Sequence, residues 1–174
     1  NNRGSYSNEI WTGSLKAGLD IGPGTLTNIF GYRKFDGTTE GDIDSLPVFV
    51  FESPTATEQE QYSNELRYAL SAGNLDLTFG GFWFDQSLAY TEIRNIASQA
   101  PVQFIGGGRQ DHRVIGAFAN AEFGLTDALI IIAGIRWSEE KKDAAITYVR
   151  PRPSCSVIDG SCPVTGTNPF VAGE

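Results

Sequence analysis

Six segments of the sequence alternate apolar and polar residues with a period of two. In the clearest of them, one parity holds Trp11, Leu15, Leu19 and Ile21, and the other holds polar or small residues such as Lys16. This period is typical of a β-strand whose two faces meet different surroundings, and it does not fit a helix. The sequence therefore predicts an all-β protein, with strands over residues 10–21, 25–35, 58–72, 75–92, 111–124 and 128–144.

The connections between these segments alternate between short and long. The first two short ones carry turn signals, Gly22-Pro23-Gly24 and Gly73-Asn74. Outer-membrane barrels have short turns at one end and longer loops at the other, whereas a soluble sandwich has less reason to place every long loop at one end. The predicted short turns are residues 22–24, 73–74 and 125–127, and the predicted long loops are residues 36–57, 93–110 and 145–174.

Five aromatic residues lie at a similar distance from these short turns, about eight to eleven residues, each on the apolar parity of its segment. A transmembrane strand needs about 9–11 tilted residues, and its lipid face ends in an aromatic girdle at the headgroups. The sequence thus predicts an antiparallel, up-and-down transmembrane β-barrel wall in contact with outer-membrane lipid. The predicted girdle residues are Trp11, Tyr32, Tyr62, Trp83 and Trp137.

The opposite parity of the same segments carries mixed charges. Such charges are very costly in lipid or in a dry core unless they are paired, but a hydrated barrel interior tolerates them. Ile130 and Ile132 depart from this polar pattern. Either they pack against something inside the barrel, such as a plug, or the lumen wall is locally apolar. The predicted lumen-facing residues include Lys16, Arg33, Glu65, Arg67, Asp76 and Arg136.

Composition and motifs exclude several functions. The net charge of −8 and the absence of a basic stripe argue against a nucleic-acid partner. His112 is the only histidine, so no Ser-His-Asp or Cys-His arrangement suggests itself. Its position where a predicted strand begins favours a solvated side chain over a metal or acid–base site. We therefore expect no enzyme, no cofactor and no metal site.

Two loop features have weaker alternatives. An acidic cluster lacks the residue order of a calcium-binding EF-hand, which favours a solvated loop over a contact with a cation or a basic ligand. Gly106-Gly107-Gly108 is followed by neither the Lys-Ser/Thr pair nor the helix of a phosphate loop, so it predicts a flexible loop. The acidic cluster consists of Asp36, Glu40, Asp42 and Asp44.

The two cysteines indicate the redox compartment of the protein, and the first residues indicate whether the sequence is a full-length product. Cys155 and Cys162 lie close together in a Pro/Gly/Ser/Thr-rich stretch, which makes a small disulfide loop sterically easy and favours an oxidising compartment. Two free thiols in a loop are the alternative. The sequence contains no Met and begins Asn1-Asn2, so we expect it to be processed or partial.

Several strand sequences resemble the barrel region of TonB-dependent outer-membrane receptors. The most similar stretch runs from Leu125 through Gly134-Ile135-Arg136-Trp137 and continues into residues 139–143. No single motif is diagnostic, but the set occurs in the order found in the family. The other matching stretches are residues 26–33, 58–67 and 80–84.

The resemblance implies a 22-stranded barrel with an N-terminal plug that carries a TonB box. It implies a bacterial outer-membrane protein that takes up a scarce nutrient, foremost a ferric siderophore, powered by the TonB system through the plug. The lumen-facing charges would then contact the ligand or the plug. A passive pore or structural barrel, and a soluble all-β ligand-binding module, are the alternatives.

The sequence holds only about six of these strands and no plug. Eight strands are the usual minimum for a closed transmembrane barrel, and an open sheet would leave two unpaired edges in lipid, which is untenable. We therefore expect residues 1–174 to be a partial receptor barrel domain that transports nothing alone.

Overall fold

The structure, a computed structural model, describes residues 4–99 and 103–149 and consists almost entirely of one antiparallel β-sheet. The predicted all-β, antiparallel fold is confirmed. In the described residues there is no helix with the length and hydropathy needed to cross a bilayer. The elements are β1 (Ser5–Ile21), β2 (Gly24–Glu40), β3 (Phe51–Glu52), β4 (Thr55–Ala72), β5 (Leu75–Ile96), a 3₁₀ turn (Ala97–Gln99), β6 (Gln103–Thr126) and β7 (Leu129–Val149).

The six long strands follow one another across the sheet in chain order, β1-β2-β4-β5-β6-β7, while the two-residue β3 pairs with β5. The register is continuous, and its one irregularity within the described strands lies between Gly124 and Thr126. Because paired residues of neighbouring strands point to the same side of a sheet, each parity set stays on one face. We call the side with Trp11, Trp83 and Trp137 the tryptophan face and the other side the opposite face.

The strands are longer than the alternation predicts, and the predicted loop bounds are wrong accordingly. The loop ends 36–40, 55–57, 93–96, 103–110 and 145–149 all belong to strands, and the third tight turn is at residues 127–128. Strands β5 and β6 reach 22 and 24 residues, about twice the length that a membrane requires. Where both faces of a strand meet water, the apolar parity disappears while the ladder of backbone hydrogen bonds continues.

The glycine run is part of this extension. Gly106, Gly107 and Gly108 pair with Glu92, Thr91 and Tyr90 of β5 inside β6, so the prediction of a flexible loop is wrong. At Gly107 an added Cβ would collide with the backbone oxygen of Tyr90. The glycine therefore allows close approach of two strands, a structural role in the sheet.

The acidic cluster is explained by local contacts. Asp36 and Glu40 lie in β2, and Asp36 pairs with Lys34 at 3.0 Å. In the loop between β2 and β3, the carboxylate of Asp44 accepts hydrogen bonds from the backbone N–H groups of Leu46 and Phe51, at 2.9 and 2.6 Å. Asp42 accepts two more, at 3.2 Å each. Two of the four carboxylates thus hold the loop in shape, as Asx turns do.

The described sheet has no hydrophobic core of its own. None of the apolar side chains in the described residues is buried, and the side chains of β1 are exposed along the whole strand. On the tryptophan face, Leu15 is 68% exposed and Ile135 is 76% exposed. This apolar surface and the unpaired edges of β1 and β7 require partners that the described residues do not supply.

We expect Gly116→Ala to destabilise the sheet by about 1–3 kcal/mol through overpacking. An added Cβ would overlap the Phe82 ring and lie 2.9 Å from the backbone oxygen of Trp137. Gly13→Ala is the matched control because nothing lies within 4 Å of its added Cβ. Urea unfolding in lipid vesicles measures both changes, and equal free energies of unfolding for the two variants would contradict the packing at Gly116.

Candidate functional site

The five predicted girdle residues all lie on the tryptophan face, in a row that crosses the strands diagonally. Tyr32 and Tyr62 are direct register partners, with ring centroids 5.1 Å apart. The residues in register with this tyrosine pair on the other strands form one row across the sheet, the register row. Measured from this row along each strand, Trp11 lies two residues toward the loop end, whereas Trp83 and Trp137 lie two and four residues toward the short-turn end. From β1 to β7 the row therefore drifts by six residues over five strand-to-strand steps.

This drift gives a tilt angle. With a rise of about 3.3 Å per residue and about 4.8 Å between strands, a line along the row makes an angle of about 40° with the register rows. Strands of transmembrane barrels tilt by about 35–45° to the barrel axis. The five aromatic rings are thus level with one another when the sheet is tilted as a barrel wall is.

The tryptophan face changes character at the aromatic row. On the short-turn side it is apolar, with residues such as Leu19, Phe79 and Ile131. On the loop side it carries ion pairs, including Arg113–Asp85 at 2.9 Å. The row therefore separates an apolar band from a charged extension. The charged residues of the extension include Lys34, Glu60, Asp85, Asp111, Arg113, Glu139, Lys141 and Asp143.

Three aromatics of the row donate hydrogen bonds to glutamates on its charged side. The hydroxyls of Tyr32 and Tyr62 both donate to Glu60 Oε1, at 3.0 and 2.9 Å. The indole N–H of Trp11 donates to Glu9 Oε1 at 2.6 Å. Each of these three rings thus has an apolar body next to the band and a polar tip that donates to a glutamate, as aromatics at a membrane–water interface do.

Two asparagines interrupt the apolar band and bond to each other. Asn28 Nδ2 donates to Asn64 Oδ1 at 2.9 Å and to the backbone oxygen of Glu65 at 3.3 Å, and Asn64 Nδ2 donates to Asn28 Oδ1 at 3.3 Å. A polar group in apolar surroundings costs free energy unless it is hydrogen-bonded. Asn28 breaks the alternation of β2, and the free-energy cost of its amide in the apolar band is therefore offset by hydrogen bonds with Asn64 on the next strand.

The predicted lumen-facing residues all lie on the opposite face, although the register does not bring them into one cluster. Arg67 and Glu65 pair at 3.4 Å, while Arg136 lies over the ring of Phe82, 4.7 Å from its centroid. Their roles as ligand or plug contacts stay predictions. The set is Lys16, Arg33, Glu65, Arg67, Asp76 and Arg136.

The opposite face also has an aromatic depression that the alternation did not predict. Its lining includes the rings of Phe82, Phe84 and Phe118 and the charged side chains of Arg136 and Glu65. The signal was hidden because Phe82 and Phe84 flank Trp83 in the sequence, so three consecutive aromatics obscure which face each belongs to.

His112 lines the same depression, and its predicted solvated place at a strand start is wrong. It lies inside β6 with its side chain 18% exposed, edge-on to Phe84 at 5.2 Å between ring centroids. Its Nε2 is shielded from solvent and lies 3.0 Å from Glu140 Oε1, at an angle that does not make a hydrogen bond. Glu140 itself pairs with Lys142 at 2.6 Å.

Three further predictions have different outcomes. Ile130 and Ile132 lie on the opposite face and are 63% and 64% exposed, so nothing described covers them. Cys155 and Cys162 lie outside the described residues, and their disulfide stays a prediction. Within residues 4–99 and 103–149 no group of three or more His, Cys, Asp or Glu side chains is placed to hold a metal ion.

Solved structures supply the comparison with known proteins. No protein-family model and no curated protein matches the chain. The crystal structure of the ferric yersiniabactin uptake receptor FyuA from Yersinia pestis matches with a TM-score of 0.67 and 14% identity, over 83% of this chain and 24% of that one. The unliganded ferric citrate transporter FecA matches with a TM-score of 0.54 and 10% identity, over 84% of this chain and 23% of that one.

Both proteins are TonB-dependent receptors. The chain spans about a quarter of the length of each. At this level of identity the likeness concerns the fold, and the resemblance predicted from the sequence is confirmed at that level: the chain has the fold of a section of a receptor β-barrel.

We expect Ile131→Arg to cost about 2–4 kcal/mol, because Ile131 lies on the tryptophan face roughly 15 Å below Trp137, near the middle of the band. Ile132→Arg is the matched control: the same residue type, one position along β7, on the opposite face and in register with Glu122. Its expected cost is much smaller. Equal folding free energies in lipid vesicles for the two variants would contradict the assignment of the tryptophan face to the lipid side.

The asparagine pair makes a second prediction. Asn28→Leu alone leaves the Asn64 side chain without its amide partner and should lower the free energy of unfolding by about 1–3 kcal/mol. The double variant Asn28→Leu/Asn64→Leu removes both polar groups and should recover most of that loss. Urea unfolding of the four proteins of this cycle in lipid vesicles checks it, and strictly additive losses would refute the coupling.

Proposed function

We propose that this chain is a section of the barrel wall of a TonB-dependent outer-membrane receptor that takes up a ferric siderophore. The observation that carries the proposal is the agreement between the fold match, with a TM-score of 0.67 over 83% of the chain, and the tilted aromatic row. The structural match compares backbone positions and does not use side-chain chemistry. The aromatic row, in contrast, is defined by side-chain chemistry. The two observations therefore support the same architecture independently.

In this proposal the tryptophan face contacts lipid. About ten residues separate the aromatic row from the short turns, and at a tilt of about 40° they rise about 25 Å, the height of the apolar band of an outer-membrane barrel. The charged extension beyond the row then lies outside the bilayer. The exposed apolar side chains, Ile135 and Leu15 among them, face hydrocarbon and not water.

The two edges require further strands. Strands β1 and β7 each have a neighbour on one side only, so half of their ladder groups lack partners in the described sheet. Each unsatisfied backbone group in hydrocarbon costs several kcal/mol. We infer that additional strands of the same receptor pair with both edges and close the barrel.

The opposite face then lines the interior. Its charges, such as Arg33 and Asp76, are compatible with a hydrated lumen that holds a ligand and a plug. Energy coupling to the TonB system would pass through a plug, and this chain would supply wall and ligand contacts, with no catalytic role.

Uptake of iron by the complete gene product containing this chain tests the proposal. It is expressed in a Gram-negative host that lacks its own siderophore receptors, with and without a functional TonB system, and supplied with ⁵⁵Fe complexes that include ferric yersiniabactin and ferric citrate. We expect the protein in the outer membrane and at least one complex taken up only with TonB. Uptake independent of TonB would indicate a passive pore, and recovery in the soluble fraction would refute the membrane assignment.

A further inference from the structure

We propose that the aromatic depression on the opposite face is a subsite for a ligand that carries both an aromatic ring and a negative charge, such as an iron complex with phenolate or catecholate groups. This inference rests on the proposed function, and it narrows the class of ferric complex. The subsite consists of Phe82 and Phe84 of β5, Phe118 of β6 and Arg136 of β7.

The register brings these side chains together on three adjacent strands. Phe118 is the direct partner of both Gly80 on β5 and Arg136 on β7. Phe82 is two residues from Gly80 and pairs with Gly116, and its ring lies across that glycine. Two of the positions beside the rings thus have no side chain, and this leaves the rings half-buried and accessible.

The uncompensated charge at the depression is positive. Arg136 lies 4.7 Å from the centroid of the Phe82 ring, and no carboxylate pairs with it among the described residues. The nearby acids are already engaged: Glu65 with Arg67 at 3.4 Å, and Glu140 with Lys142 at 2.6 Å. Glu65 also lines the depression, but its carboxylate is paired with Arg67. An anionic group bound beside Arg136 therefore meets a guanidinium that has no carboxylate partner of its own among the described residues.

Shape and chemistry favour a small flat ligand. An aromatic ring packs on exposed phenylalanine rings through its face or edge, and a guanidinium both stacks on aromatic rings and donates several hydrogen bonds to an anionic oxygen. The depression lies at about the height of the aromatic row, since Phe82 and Phe84 flank Trp83, so it is at the loop-side boundary of the apolar band. A ligand arriving from outside the cell would meet it before the lower, apolar positions Ile130 and Ile132.

The chemistry also excludes one class of ligand from this subsite. A ferric complex of an aliphatic polycarboxylate satisfies Arg136 but leaves the three rings without a partner. The proposal therefore predicts that, of two anionic ferric complexes, the one with an aromatic ring binds more tightly than the one without.

Two probes of known composition test this in outer-membrane vesicles from cells that express the complete gene product. They are the ⁵⁵Fe complexes of 2,3-dihydroxybenzoate, which is aromatic and anionic, and of citrate, which is anionic without a ring. We expect tighter equilibrium binding of the dihydroxybenzoate complex. Arg136→Gln should weaken it about tenfold or more, the value of one charge-assisted hydrogen bond, and Phe82→Leu about threefold to tenfold.

Matched controls lie on the same strands but on the tryptophan face. Lys141→Gln removes a cation from β7, and Phe79→Leu removes a ring from β5; both should leave binding of the dihydroxybenzoate complex unchanged. Equal affinity for the two probes, or equal weakening by the control variants, would overturn the subsite. If Arg136→Gln and Phe82→Leu lower only the thermal stability of the receptor, the depression packs against another part of the polypeptide, and the proposal is wrong.

Failure of the subsite is distinguishable from failure of the receptor function. TonB-dependent uptake of any ferric complex without discrimination by the ring would keep the proposed function and reject the subsite. Absence of TonB-dependent uptake for every complex would reject the proposed function itself.

Discussion

The structure depends on one constraint, the pairing of backbone N–H and C=O groups across an uninterrupted antiparallel register. From Ser5 to Val149 each of the four inner long strands is paired along most of its length with a strand on either side, and β1 and β7 are each paired with one. In an apolar medium no other arrangement of strands satisfies the backbone. Because the register is continuous, the alternation within each strand becomes a division between two whole faces. The free edges of β1 and β7 are the part of this constraint that the described residues leave unmet.

The faces were predictable from the sequence, because a period of two and consecutive pairing leave no freedom about which residues lie together. Trp11 and Trp137 are 126 positions apart, yet their parity alone predicts that they share a face. The lengths of the strands were not predictable in the same way. Beyond the aromatic row both faces meet polar surroundings, so alternation no longer marks a strand, and only pairing with a neighbour does. The loop after β2 was equally hidden, because its shape depends on hydrogen bonds that Asp44 accepts from residues up to seven positions away.

The least predictable features are those that depend on contacts between strands: the Asn28–Asn64 pair on the tryptophan face, and His112 and the depression on the opposite face. Asn28 looks like a defect in β2 until Asn64 is placed beside it. His112 looks like a residue at the start of a strand until the extension of β6 places it beside Phe84. The depression itself needs glycines on one strand opposite rings on the next, a pattern that no single segment displays. Parity assigns a residue to a face, but packing on that face requires the register.

The two faces are therefore constrained to different degrees, and this bears on the subsite proposed above. In the proposed barrel the tryptophan face meets a uniform medium, so any apolar residue of suitable size serves at most of its positions. The two solved receptors share the fold with this chain at only 14% and 10% identity. The opposite face has no such uniform requirement, and its residues are free to differ from one receptor to another. Phe82, Phe118 and Arg136 occupy positions that the fold does not restrict to rings or to a cation. If the proposed function holds, we expect chemistry specific to this chain in residues of that kind.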